Sequence, residues 1–268
     1  VIVVSACFLL VSVMRLLKPS LILILLQLFS LYTLHAQPTI EKVYRFLENK
    51  REIDGVERLL NKIEMTFSNP IKRKIDGGHT QLVAEMESDG EYYSILLQQD
   101  KAGIYLAVIN EVKPAEKGWI KRNTYFRVDS TRLLHFIAVH DGIYQSSNSI
   151  DQFRLFSFNR YGFACGSGGS PTPKNALMNS LISINDTGAL KKWMTDFDYE
   201  TKILGATGLL ILQQQGIGID SASLAIINHL KALALPINAC MGCTFGDTIP
   251  SGSLLDDEWI KTVFLRKD

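Results

Sequence analysis

Hydrophobic spacing along the chain changes period twice. Ile40, Val43, Tyr44 and Leu47 recur at steps of three and four, with charges on the opposite face. The same step runs through Val56, Leu59, Leu60, Ile63 and Phe67, and Ser68-Asn69-Pro70 ends it. This predicts two amphipathic helices within 39–67. From His79 the period becomes two. Residues 80–87 and 91–98 flank Ser88-Asp89-Gly90, a hairpin signal. A second turn at Asp100-Lys101-Ala102-Gly103 leads into 104–110, and a link with Pro114 and Gly118 leads to 119–128. Further strands are expected over 132–139, at 143–145 after Asp141-Gly142, and over 153–158. Consecutive apolar residues at Ile95-Leu96-Leu97 and over 104–109 predict strands covered on both faces.

The helical step returns after Glu200. Ile203, Ala206, Thr207, Leu210, Ile211 and Gln214 lie on one stripe, and Leu204, Leu209 and Leu212 widen it. A helix buried on most sides is predicted. Gly216 and Gly218 supply its stop. Asp220 or Ser221 would cap a second helix carrying Leu224, Ile227, Leu230 and Leu233, and Pro236 would close it. Helices, then tightly turned strands, then helices make an α+β class. The expected architecture is a mainly antiparallel sheet over about 79–158, covered by N-terminal and C-terminal helices. Residues 37–268 read as a single domain, with a subdivision near 166–173.

Composition changes the picture at the N-terminus. The chain has 268 residues and a formal net charge of +1. Residues 1–36 contain two cations and no acid, so the remainder carries −1. No basic excess points to nucleic acid. Met14-Arg15-Leu16-Leu17-Lys18 is a positive n-region with Met14 as the expected start. An apolar run over 21–34 and a small Ala36 before Gln37 complete a signal-peptide pattern. The run falls short of the ~20 residues of a spanning helix. The protein is therefore expected to be exported, periplasmic or secreted, with no stable membrane span after cleavage. The alternative is a membrane anchor made from an uncleaved leader.

Past the leader, the cysteines are Cys165, Cys240 and Cys243, an odd number for an exported chain. Cys240-Met241-Gly242-Cys243 predicts a local Cys240–Cys243 disulfide, with Cys165 left over. A zinc site needs about four ligands. Only Cys165 and His229 could join Cys240 and Cys243, so no metal is assigned and no motif implies a cofactor. Cys165 sits in the glycine-rich stretch 162–170, where it could serve as a nucleophile with His135 or His140 as its base. Tyr92, Tyr93, Tyr105, Trp119, Tyr125, Phe126 and Tyr144 place aromatics on the expected sheet.

The function these patterns favour is a non-catalytic binding or interaction module of the cell envelope or extracellular space, with a protein or glycan partner. One alternative is an exported thiol enzyme using Cys165 or the Cys240/Cys243 pair. The other is a small-molecule or glycan binder on an aromatic sheet face.

Overall fold

Five strands form an antiparallel meander in the order β1-β2-β3-β4-β5. They are β1 Ile71–Lys74, β2 Thr80–Ser88, β3 Glu91–Asp100, β4 Gly103–Ala115 and β5 Gly118–Val128. The computed structural model describes residues 39–49, 51–62, 70–88, 90–115, 118–154, 156, 159–165, 168–242 and 244–264. The leader expected over 1–36 lies outside them. The chain divides into two compact units, 1–42 and 43–268. Only residues 39–42 of the first are described, and they open helix α1, Thr39–Asn49. All the remaining elements belong to the second unit.

Register explains the continuous apolar runs. Val83, Leu96 and Val108 are cross-strand partners, and Leu82, Leu97 and Ala107 form the adjacent row. Neighbouring rows face opposite sides of a sheet, yet all six residues are buried. Helix α2, Ile53–Leu60, packs on β2 and β3. The Val83 row instead joins a larger core that includes Phe136, Ile203 and Leu210. The second amphipathic helix ends at Leu60, Asn61 and Lys62 form a turn, and the rest of its predicted extent, 63–67, lies outside the described residues.

The strands expected over 132–139 and 143–145 are one helix, α3, Ser130–Tyr144. Leu133, Phe136, Ile137, His140 and Tyr144 are its buried stripe, and the Asp129 carboxylate accepts from the Arg132 N–H as N-cap. Asp141-Gly142 belongs to its last turns and makes no hairpin. Residues 151–154 form a short helical turn, α4, Asp151–Arg154, in place of the strand expected from 153. Residues 155, 157 and 158 lie outside the described set.

Two helices, α5 Pro173–Ser183 and α6 Thr187–Trp193, precede the most apolar one, α7 Tyr199–Gln214. Every residue of α7 from Tyr199 to Leu212 is buried, as its sequence predicts. Gly205 allows the close approach of α6, since a Cβ there would lie 2.6 Å from the Leu190 carbonyl oxygen. Gly216 follows with φ +93, and Asp220 caps α8, Ser221–Leu233.

Pro236 does not close α8. It opens β7, Pro236–Gly242, which pairs antiparallel with β8, Thr244–Pro250, and parallel with β6, Tyr161–Cys165. The pattern of the sequence gives no sign of this second, three-stranded sheet. Two helices, α9 Ser251–Leu254 and α10 Asp257–Phe264, complete the order. Among the described residues, no helix is long and apolar enough to cross a membrane.

Candidate functional site

Cys165 and Cys240 form a disulfide pair with Cα atoms 5.4 Å apart. This replaces the expected Cys240–Cys243 bond. Cys240 lies in an extended strand that continues through Gly242, where three residues cover about 10 Å. Its sulfur instead meets the neighbouring parallel strand. Gly162 makes room for the link, because a Cβ there would lie 2.5 Å from the Cys165 sulfur. Cys243 lies outside the described residues.

His135 and His140 sit on α3, not on a strand. His135 is exposed and His140 fully buried. His140 contacts the Asp141 carboxylate through Nδ1 and the Asp196 carbonyl through Nε2, both at 3.3 Å. Burial and the Lys202 charge push its pKa down to about 3, so the ring is neutral. No hydrogen bond joins either histidine to Cys165 among the described residues. Of the four metal candidates, Cys165 and Cys240 are joined and His229 is engaged by Asp76. The described residues contain no group of three or more potential metal ligands.

A buried polar network occupies the seam between β1, α3, α7 and α8. A 3-10 turn, Asp76–Gly78, follows β1, with Gly77 and Gly78 at φ +67 and +74, where glycine is favoured. This turn carries the Asp76 carboxylate inward. Oδ2 accepts from the hydroxyls of Tyr144 at 2.9 Å and Tyr199 at 2.5 Å, and Oδ1 lies 2.7 Å from His229 Nε2. The His229 side chain is 34% exposed and brings the network to the surface. Lys202 Nζ lies 3.7 Å from the Tyr144 ring centroid and 3.9 Å from that of Tyr199, with no hydrogen-bond partner among the described residues. Burial lowers its pKa to about 7 against the opposing pull of Asp76. Burial works to raise the Asp76 carboxyl, but Lys202 and the three side-chain donors outweigh it and hold it below its ordinary range.

Next to this network, Arg73 and Glu200 form a fully buried ion pair. Burial and the Glu200 charge raise the Asp198 carboxyl well above its ordinary value. The Asn159 amide donates to Asp198 Oδ2 at 2.7 Å and leads outward to a cleft.

The cleft has a volume of about 580 Å³ and lies where β2, β3 and β5 meet the start of α5. Tyr92, Tyr93 and Ser94 of β3, Lys121 of β5, and Asn159, Arg160, Thr172, Pro173 and Lys174 line it. Arg160 pairs with Glu85 across it. Thr172 positions this lining, because its hydroxyl donates to the Arg160 carbonyl at 3.0 Å and accepts from the Asn175 N–H. Ser94 is 5% exposed, and its Oγ has no hydrogen-bond partner among the described residues. Arg160 Nε is likewise buried and unpartnered. Buried polar atoms without partners are rare in native structures and call for an explanation, a bound ligand or water being one.

The aromatics expected on one sheet face are dispersed. Tyr92 and Tyr93 reach the cleft, Tyr105 and Tyr144 are buried, and Tyr125 stacks on Tyr44. Phe126 lies under the Arg154 guanidinium, and the Trp119 side chain is outside the described residues. Sequence reasoning missed Asp76, Lys202, Lys121, Arg160 and Lys174. Lys202 did carry a signal, since a charge inside a helix buried on all sides needs a specific environment. The three cleft cations, far apart in sequence, carried none.

Comparison of the chain with protein-family models, with curated proteins and with solved structures returns no match.

Proposed function

We propose that this protein is an exported, non-catalytic binding module that holds a small organic molecule in the cleft beside α5. One observation carries the reading. The cleft combines about 580 Å³ with the Tyr92 ring on one wall and two lining residues, Ser94 and Arg160, whose Oγ and Nε are buried without a partner among the described residues. Ligand sites commonly occupy ~300–1,000 Å³ and fix orientation with a few placed polar groups. Export is supported by the n-region, apolar run and Ala36, and by the Cys165–Cys240 pair, since disulfides persist mainly in oxidising compartments. A thiol enzyme would need Cys165 as a free thiolate, and here that sulfur is bonded.

The test is a saturation-transfer NMR screen of polar aromatic small molecules, followed by amide shift mapping with each hit. Shifts clustered on residues 92–94, 121, 159–160, 172 and 174 are expected. The absence of hits, or shifts confined to other surfaces, would sink the reading.

A further inference from the structure

We propose that the cleft takes a dianionic head group, of the phosphate-monoester or dicarboxylate class, held between Lys121 and Lys174. This rests on the small-molecule reading above and adds the ligand's charge. Three cations and one carboxylate line the cleft, and the carboxylate, Glu85, is already paired with Arg160. Among the described residues, neither Lys121 nor Lys174 has a carboxylate within ion-pair distance. Lys174 Nζ lies 4.3 Å from the Trp193 ring centroid, a contact that orients the ammonium without neutralising it. Burial lowers the Lys121 pKa, and the neighbouring Lys174 charge lowers it further against the pull of Asp198 and Glu85. Lys121 and Lys174 therefore line the cleft as two cations beyond the Arg160–Glu85 pair.

The rest of the wall suits an oxyanion. Lys174 lies in the first turn of α5, where N–H groups lack intrahelical partners. Thr172 satisfies those of Asn175 and Ala176, and Pro173 has none. The first residues of this 11-residue helix, Pro173 and Lys174, line the cleft, and the positive end of the helix dipole favours an anion near them. The volume exceeds that of a bare oxyanion, so an organic body would extend along Tyr92 and Pro173.

Isothermal titration calorimetry with phenyl phosphate, phthalate and neutral phenyl glucoside tests this. Phenyl phosphate or phthalate is expected to bind, and whichever is tighter identifies the phosphate or dicarboxylate class. Lys121→Met and Lys174→Met should each weaken that binding at least tenfold, while Lys101→Met on the distant β3–β4 turn should not. Melting curves establish that each variant folds, and if Lys121→Met does not, Lys174→Met decides. Binding of phenyl glucoside with equal affinity in both cleft variants would overturn the charge assignment and leave the binding site standing. Failure of all three probes, together with an empty NMR screen, would overturn both.

Discussion

Arg73 of β1 and Glu200 at the head of α7 meet in a bidentate ion pair, with Nη1–Oε1 at 2.8 Å and Nη2–Oε2 at 3.0 Å. Both side chains are fully enclosed. Oε1 also accepts from the Asn238 N–H of β7, and Arg73 Nε donates to Gln81 Oε1 at 2.8 Å. One pair of charges thus ties the five-stranded sheet, the central helix and the second sheet together. Removing one partner strands the other in low dielectric. Glu200→Ala should cost about 3–5 kcal/mol in denaturant unfolding, whereas replacing both with apolar residues should cost far less. Equal losses for the single and double variants would refute this account.

Lys202 makes stability depend on pH on the alkaline side. Its folded pKa of about 7 lies below the ordinary lysine value of 10.5. Between those values the unfolded chain binds the proton more readily, so stability should rise with pH through that window and lie flat below it. The slope should approach about 1 kcal/mol per pH unit. Lys202→Met keeps the buried stem, removes the amine, and should raise the melting temperature at neutral pH while abolishing the alkaline rise. A melting temperature that falls in this variant would show that the ammonium is net stabilising in its place beside Asp76.

Gly205 tests helix propensity against packing. Alanine normally stabilises a helix over glycine by about 1 kcal/mol. Here its Cβ would lie 2.6 Å from the Leu190 carbonyl oxygen and 2.9 Å from the Trp193 Cβ. Backbone cannot yield as a flexible side chain does, and overpacking costs about 1–3 kcal/mol. Gly205→Ala should therefore lower stability. Gly216→Ala, whose Cβ meets nothing but which sits at φ +93, should also lower it, through backbone strain alone.

Peptide mapping without reduction should recover a peptide pair linked through Cys165 and Cys240. Cys165→Ser should lower stability by about 2–4 kcal/mol, because the bond closes a long loop of sequence separation 75. A recovered Cys240–Cys243 link would reverse the assignment.

Expression with residues 1–36 intact in a secreting host should give a mature N-terminus near Gln37. Retention of residues 14–36 on the purified chain would favour a membrane anchor.

Wherever one segment's own pattern was enough, the element could be read from the residues in order. The hairpins of β2, β3 and β4 follow from period two and local turn chemistry. The buried α7 follows from apolar residues around its whole circumference, and the start of α8 from Asp220. The same local signals misled at α3. Ile137-Ala138-Val139 and the Asp141-Gly142 dipeptide suit a strand and turn, yet Leu133, Phe136, Ile137, His140 and Tyr144 also fit a helical stripe. Only a core waiting for that stripe decides between them, since burial of a whole face outweighs weak local preference. Long-range choices were settled by tertiary structure alone. The parallel pairing of β6 with β7 selects Cys165 for Cys240, although Cys243 is nearer in sequence. Asp76 and His229 meet across 153 residues. Lys121, Arg160 and Lys174 share a cleft only because a sheet edge, a strand entry and a helix start converge there. No periodicity encodes such meetings, because they depend on which finished surfaces fit each other.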